Sequence, residues 1–423
     1  MLAMKIPDIN SIRGRLAPFL AAALWITLGT TWECQSGDWP RFLGPHQNGG
    51  VEDEALPTEW PASGPKPLWQ MTVGSGFSGP IVVDQQVILF HRERNQEILV
   101  SLDASTGKEH WRSPYETSYR DDFGFDNGPR STPTAHDGYV YTYGAQGRLQ
   151  CTELKSGKAL WHVDAMGEFE APKGFFGIAC SPLVEGDLVI INVGSPPSRG
   201  IVAFHRLTGK VVWNTSQDEA SYSSPIGATI AGIRQALVFD REGLKAVTLS
   251  TGKIRSSYPW RPRIHASVNA ASPVVHGDQV FLSTSYSTGA IVLDLTEPSP
   301  QKIWSNDQAL SCHYGTPLYH RGFLYGYHGR QERGADLNCV DWKTGTVQWT
   351  APHVETGTVT RVKDRLLILQ ENGELVLADA GAERYQERDR AQILPSGVRA
   401  YPAFANGIFF ARSPKKLVAV QVR

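Results

Sequence analysis

From about residue 67 onward, the chain is written in short apolar runs of alternating pattern, separated by turns rich in Gly and Asp. Ile81-Val-Val-Asp-Gln-Gln-Val-Ile-Leu-Phe90 and Pro273-Val-Val-His-Gly-Asp-Gln-Val-Phe-Leu282 each read as two strands folded back through a tight turn. One phrase recurs through this pattern: Leu102-Asp-Ala-Ser-Thr-Gly-Lys-Glu-His-Trp111, Leu154-Lys-Ser-Gly-Lys-Ala-Leu-Trp161, Leu207-Thr-Gly-Lys-Val-Val-Trp213 and Val340-Asp-Trp-Lys-Thr-Gly-Thr-Val-Gln-Trp349. Weaker copies stand at Leu249–Lys253 and Leu377–Gly381. A strand ends at the aliphatic residue, polar residues turn the chain, Gly supplies a positive φ, and the next strand carries an aromatic four positions later.

Counting that aromatic slot gives Trp69, Trp111, Trp161, Trp213, Ser256, Trp304, Trp349 and Tyr385, eight slots about 45 residues apart. Ser256 breaks the series, with Trp260 close by to compensate. A second marker runs in phase: a small or polar residue plus Pro before an apolar strand, at Pro80, Pro133, Pro182, Pro225, Pro273, Pro317 and Pro402, with Val359 in the seventh unit. The two markers together predict an all-β chain: an eight-bladed β-propeller with four-stranded antiparallel blades, or seven if one weak unit is an insertion. A β-solenoid of the same period needs no exchange of terminal strands. Here the last unit, Leu417-Val-Ala-Val-Gln-Val422, lacks an outer strand, and Pro67-Leu-Trp-Gln-Met71 is an outer strand with no blade before it. Pairing the two closes the ring and hides its edges.

Ahead of the repeats lie two further regions. Residues 1–36 read as a signal peptide or N-terminal anchor: Lys5, Arg13 and Arg15 precede an apolar stretch from Leu16 to Leu28, too short for a confident span. A lipidated Cys34 is poorly supported, because Trp32 and Glu33 stand where small residues belong. Residues 37–66 read as an irregular, Pro-rich arm lying across the propeller of residues 67–423. The expected location is periplasmic or otherwise extracytoplasmic, with membrane contact only through the N-terminus.

Charge and cysteine content narrow the function. With 41 basic and 42 acidic residues and a net charge of −1, the chain has no concentrated positive field for nucleic acid. Its five cysteines are too sparse for a disulfide scaffold and read as small buried hydrophobes. No His-Glu-x-x-His zinc helix or phosphate-binding glycine loop occurs, and no nucleophile is placed beside a base. Chemistry, if present, sits where loops converge at the mouth of the central channel. The polar loops there are Tyr119 to Arg130, Pro259 to Asn269 and Asn306 to Tyr314, with 166–178 and 388–399 as lid segments. They supply the candidate ligand contacts Asp126, Arg130, Arg261, Arg263, His265 and His313, a cationic funnel for a carboxylate, a phosphate or a peptide end. Asp121, Asp122 and Asp126 either neutralise these arginines or hold a divalent cation; the leading reading of all these groups is that they hydrogen-bond the loops and plug the channel.

The Leu-Asp-x-x-Thr-Gly-Lys-x-x-Trp phrase resembles the pyrroloquinoline-quinone-like (PQQ-like) β-propeller repeat superfamily. The opening Asp38-Trp-Pro-Arg-Phe-Leu-Gly-Pro45, with Gly128-Pro-Arg-Ser-Thr-Pro133 and Ile264-His-Ala-Ser-Val-Asn269, is similar to exported propellers of planctomycetes. A more distant likeness is to the propeller lipoprotein of the outer-membrane β-barrel assembly machinery, which implies a scaffold whose loops bind proteins. Quinoprotein alcohol dehydrogenases share the repeat, and that resemblance would imply PQQ, calcium, a catalytic Asp and an adjacent-cysteine disulfide. Cys34, Cys151, Cys180, Cys312 and Cys339 include no adjacent pair. The expectation is therefore an exported, non-catalytic scaffold that binds a cell-envelope protein or small ligand without a cofactor. A PQQ-dependent oxidoreductase is the disfavoured alternative.

Overall fold

The structure is a computed structural model that describes residues 37–423. The signal, anchor and Cys34 readings fall on residues outside the described ones. Eight sheets follow in chain order, each laid down from its inner to its outer strand. Blades 1 to 7 begin at the inner strands Ile81–Val83, Thr134–His136, Leu183–Glu185, Ile226–Ile230, Val274–His276, Leu318–His320 and Gly357–Val362. Blade 8 is assembled from both chain ends. Ala403–Ala405, Ile408–Arg412 and Lys416–Gln421 supply three strands, and Lys66–Thr72 adds the outer one, with Lys66 opposite Gln421 and Thr72 opposite Lys416. The predicted closure is thus observed at the predicted strands.

The recurring phrase has one structural explanation in most blades. Between the third and fourth strands the register slips by one residue just before the aromatic slot, so that Leu102 faces Glu109 while Ser101 faces Trp111. The bulge re-aims the side chain toward the next blade. There the Trp111 indole donates to Leu154 O across 2.8 Å, and Trp69, Trp161, Trp213, Trp304 and Trp349 make the equivalent bond to their own neighbours. The indole also lies flat on the neighbour's turn glycine: a Cβ on Gly157 would stand 2.5 Å from Trp111 Cε3, and its φ is +72°. Gly is therefore required twice, for the turn and for the close approach.

Two slots depart from the pattern. Ser256 occupies its slot opposite Ala246, and Trp260 reaches Gly289 O at 3.3 Å while packing beside Tyr258. In blade 7 the residue in the slot is Asp389, opposite Leu377, and Tyr385 is not. The turn after Asp379 is longer than in the other blades, so counting four residues from Gly381 lands short of the strand Glu387–Gln392. Tyr385 packs instead against Trp349, ring centroids 5.5 Å apart. The missing indole comes from the N-terminal arm: Trp60 N–H binds Asp389 Oδ2 at 2.9 Å, and Trp60 Nε1 donates to Val422 O of blade 8.

The Ser/Thr-Pro marker also has a cause. The residues before the first five inner-strand prolines each hand a hydrogen bond to the next blade: Gly79 N to Thr132 Oγ1, Thr132 N to Ser181 Oγ, Ser181 N to Ser224 Oγ, Ser224 N to Ser272 Oγ and Ser272 N to Thr316 Oγ1. Tyr401 carries the belt past blade 7, its hydroxyl accepting from Thr316 N at 2.5 Å. These buried N–H groups, which no inner strand could satisfy, are paired across the blade boundaries. Proline fits immediately afterwards because the first residue of a strand needs no ladder donor.

Residues 38–51 run along the channel side of this belt. Trp39 exchanges backbone hydrogen bonds with Val82, Pro40 O accepts from Ala135 N, and the Gln47 side chain brackets Pro225 and Gly227. Gly50–Val51 then pairs in parallel with Arg361 and Val362, a fifth strand on blade 7. The arm thereby covers inner-strand edges of blades 1, 2, 4 and 7 that would otherwise face the channel unpaired.

Candidate functional site

Above the tip of the arm, at the mouth end of the inner strands, lies a cup of about 230 Å³. Phe42 lines it, its ring edge-on to Tyr401 with centroids 4.9 Å apart. Thr132, Ser181 and Ser224 of the belt contribute to its wall, and Phe77, Phe125, Phe176, Tyr222 and Tyr314 make it mainly aromatic. From Phe125 in the cup wall the aromatic surface continues outward: Phe123 and Phe125 are each 55% exposed, and Phe123 lies 5.1 Å from Phe176 and 6.3 Å from Phe175.

Buried arginines hold the loops that carry these groups. Arg92 Nη1 donates to Tyr119 O and Asn127 O, both at 2.8 Å, pinning the 119–130 loop at its two ends. In blade 4, Arg241 donates to Ser267 O at 3.1 Å and to His265 O at 2.6 Å, fixing the loop into blade 5. Each guanidinium offers several donors in a rigid fork, which suits it to gathering carbonyls from a loop with no ladder of its own. The exposed phenylalanines are thus presented on fixed loops.

The candidate residues separate into two groups. Arg130 and His313 line the cup. Arg130 donates to Asp126 O at 3.0 Å, stands 3.6 Å from Asp121, and lies 5.7 Å from the Phe77 ring. His313 Nε2 is 3.1 Å from the Tyr286 hydroxyl and its Nδ1 is 3.8 Å from Glu332. Burial lowers its proton affinity, against the pull of Glu332. The other four face elsewhere. Asp126 Oδ1 accepts from Gly128 N and shapes its own loop. Arg261 pairs with Glu242, Arg263 is exposed, and the exposed His265 uses its carbonyl on Arg241.

The sequence places Tyr314 in a mouth loop and Arg399 at the end of a lid segment, but it singles out neither of them, nor Phe42, Phe77, Phe176 and Tyr222, as a ligand contact. Arg399 also lines the cup, with its guanidinium 5.7 Å from the Phe77 ring. Behind it stands Glu371, 3.7 Å from Arg399 Nε and hydrogen-bonded by the Tyr314 hydroxyl. Burial raises the Glu371 pKa, while the Tyr314 bond and then Arg399 pull it back. Nothing in the local sequence marks Arg399, which sits in a linker and meets Phe77 only through ring closure.

The residues present do not fit the adjacent-cysteine pair and the metal cluster that the dehydrogenase resemblance implies. Cys151, Cys180, Cys312 and Cys339 are free and buried. Among the described residues, no group of three or more His, Cys, Asp or Glu side chains is placed to hold a metal ion.

Comparison with known proteins agrees with the geometry. A family model described as outer membrane protein assembly factor BamB matches residues 94–351. Outer membrane protein assembly factor BamB of Moranella endobia (strain PCIT) is 24% identical over 308 residues, 67% of this chain and 71% of that one. Serine/threonine-protein kinase AfsK of Streptomyces griseus is 30% identical over 194 residues, which are 44% of this chain and only 21% of the kinase. The solved structure of BamB from Moraxella catarrhalis has a TM-score of 0.60 at 15% identity, covering 84% of this chain and 97% of that one, a likeness of fold. With the family match spanning more than half its length, this chain belongs to the outer membrane protein assembly factor BamB family of PQQ-like propellers.

Proposed function

We propose that this protein is an exported, non-catalytic scaffold of the cell envelope that binds a partner protein or a ligand at the channel mouth. The observation that carries this reading is the exposed aromatic surface of Phe123 and Phe125, held on a loop fixed by buried Arg92. Large apolar groups exposed on a rigid loop mark interaction surfaces, since their cost in water is recovered only on binding. Family membership supports a role in outer-membrane protein assembly, as the relatives' name states, and with it a periplasmic location. In this reading residues 1–36 direct export, 37–66 are an arm, and 67–423 form the scaffold.

The test is retention of envelope proteins by the immobilised full-length chain, compared with the Phe123→Ser/Phe125→Ser double variant. A specific outer-membrane assembly component should be retained by the wild type and lost by the variant, with thermal unfolding unchanged. Equal retention by both would overturn the assignment of the surface. Titration with PQQ and Ca²⁺ that produced dye-linked alcohol oxidation would overturn the non-catalytic reading.

A further inference from the structure

We infer that the cup takes a carboxylate carried on a flat apolar body, received by the lining residues Arg130 and Arg399; this rests on the binding role proposed above and names its chemistry. At about 230 Å³ the cup is smaller than the roughly 300–1,000 Å³ of drug-sized sites. It admits a group on the scale of one aromatic ring. Its walls are ring faces and edges from Phe42, Phe77, Phe176 and Tyr222, which fit a flat apolar body.

The charge facing the space is positive. Arg130 and Arg399 line it, whereas their carboxylates, Asp121 and Glu371, are not lining residues. Those pairs are 3.6 and 3.7 Å apart, beyond good hydrogen-bond geometry, and Arg130 gives Nη2 to Asp126 O and Nη1, at 3.5 Å, to Gly128 O, leaving its remaining N–H groups for a ligand. Arg399 makes no hydrogen bond to any described protein group, its nearest carboxylate being the one on Glu371. Both guanidiniums lie 5.7 Å from the centroid of the Phe77 ring, so one aromatic side chain packs against each of them. The acidic lining residue, Glu332, is engaged by Arg330 at 3.3 Å.

A guanidinium fork matches a carboxylate in two parallel hydrogen bonds, and the aromatic surroundings strengthen such a bond relative to water. A cation would meet two guanidiniums. The carboxylate has two possible sources, a free aromatic acid or the last residue of a polypeptide, whose preceding residues would lie along Phe123 and Phe175 outside the cup.

The experiment is calorimetric titration of the full-length chain with 3-phenylpropionate, with the uncharged 3-phenylpropanamide, and with one heptapeptide ending in Phe as free acid or amide. The acid should bind saturably and at least tenfold more tightly than its amide. Arg399→Gln should weaken the acid at least tenfold and leave the amide unchanged. A free-acid peptide at least tenfold tighter than 3-phenylpropionate assigns a polypeptide terminus; equal or weaker binding assigns a free aromatic acid. Equal affinity for acid and amide, no binding of either at millimolar concentration, or an unaltered Arg399→Gln affinity overturns the inference. If Arg399→Gln does not fold, the wild-type preference for acid over amide decides alone. Failure of every probe while wild-type retention of its envelope partner persists overturns this inference and leaves the scaffold reading standing. Acid binding without any partner retention does the reverse.

Discussion

Trp60 Nε1 donates to Val422 O across 3.2 Å, and by doing so an arm residue completes the contact between blades 7 and 8 that a blade-borne tryptophan completes elsewhere. Asp389, standing where that tryptophan would be, holds the Trp60 backbone. Trp60 is 7% exposed, and removing a buried indole costs about 3–5 kcal/mol. Trp60→Ala should lose that much in urea unfolding, while Trp60→Phe, which loses mainly the hydrogen bond, should lose about 1 kcal/mol. Equal, small losses would show that the arm merely rests on the ring.

Two glycines separate turn conformation from packing. Gly157 and Gly186 both have positive φ, but only at Gly157 would a Cβ meet an indole; at Gly186 nothing lies within 4 Å. Gly186→Ala should cost about 1 kcal/mol for the left-handed backbone. Gly157→Ala should cost a further 1–3 kcal/mol or so, as overpacking does. The check is chemical denaturation of both variants, read against Trp111 fluorescence.

The hydroxyl belt predicts a cost out of proportion to the atom removed. Ser181→Ala leaves the buried Thr132 N–H without its acceptor, which should cost about 1–3 kcal/mol. A loss below 0.5 kcal/mol or so, the level of ordinary surface changes, would mean the belt is not holding the blades together.

His91 gives the fold an acid sensitivity. It is 3% exposed, accepts a hydrogen bond from Gly74 N on Nδ1, and is pushed down to about 4 by burial first and Arg412 next. In the unfolded chain it titrates near 6.5. Between these values the unfolded state binds more protons, so stability is full above pH 6.5 and falls as pH drops toward 4, by up to about 3 kcal/mol. In His91→Gln this component should vanish, seen as a flatter dependence of unfolding free energy on pH over that window.

Arg92 should govern the order of the aromatic loop specifically. A lysine is a point charge that cannot bridge Tyr119 O and Asn127 O as the guanidinium does. Arg92→Lys should accelerate amide exchange within 119–130 and leave blades 4 to 6 protected. Uniform acceleration across the chain would assign Arg92 to global stability instead.

The blade count and the closing strands were legible because they rest on local, repeated requirements: a turn glycine, a bulged strand and a proline at fixed intervals. Tyr385 shows the limit of that reading, since a lengthened turn after Asp379 breaks the count from Gly381 while the strand register continues undisturbed. The cup was much less legible. Phe42, Phe77, Arg130, His313 and Arg399 come from five separate segments brought together only by ring closure. Charge alone drew attention to Arg261 and Arg263, whose loop is held by its backbone carbonyls on Arg241 rather than by those side chains. The Ser/Thr-Pro marker was visible but its meaning was not, because the partner of each hydroxyl lies a whole blade away.

The course of residues 38–51 joins parts of the ring that the repeats do not join. Trp39 is bonded to Val82 of blade 1, Gln47 to Pro225 and Gly227 of blade 4, Phe42 packs on Tyr401 at the entry to blade 8, and Gly50–Val51 pair with blade 7. A single short segment is thus a shared fastening for blades that are not neighbours, so any displacement of it is felt at several points around the ring at once.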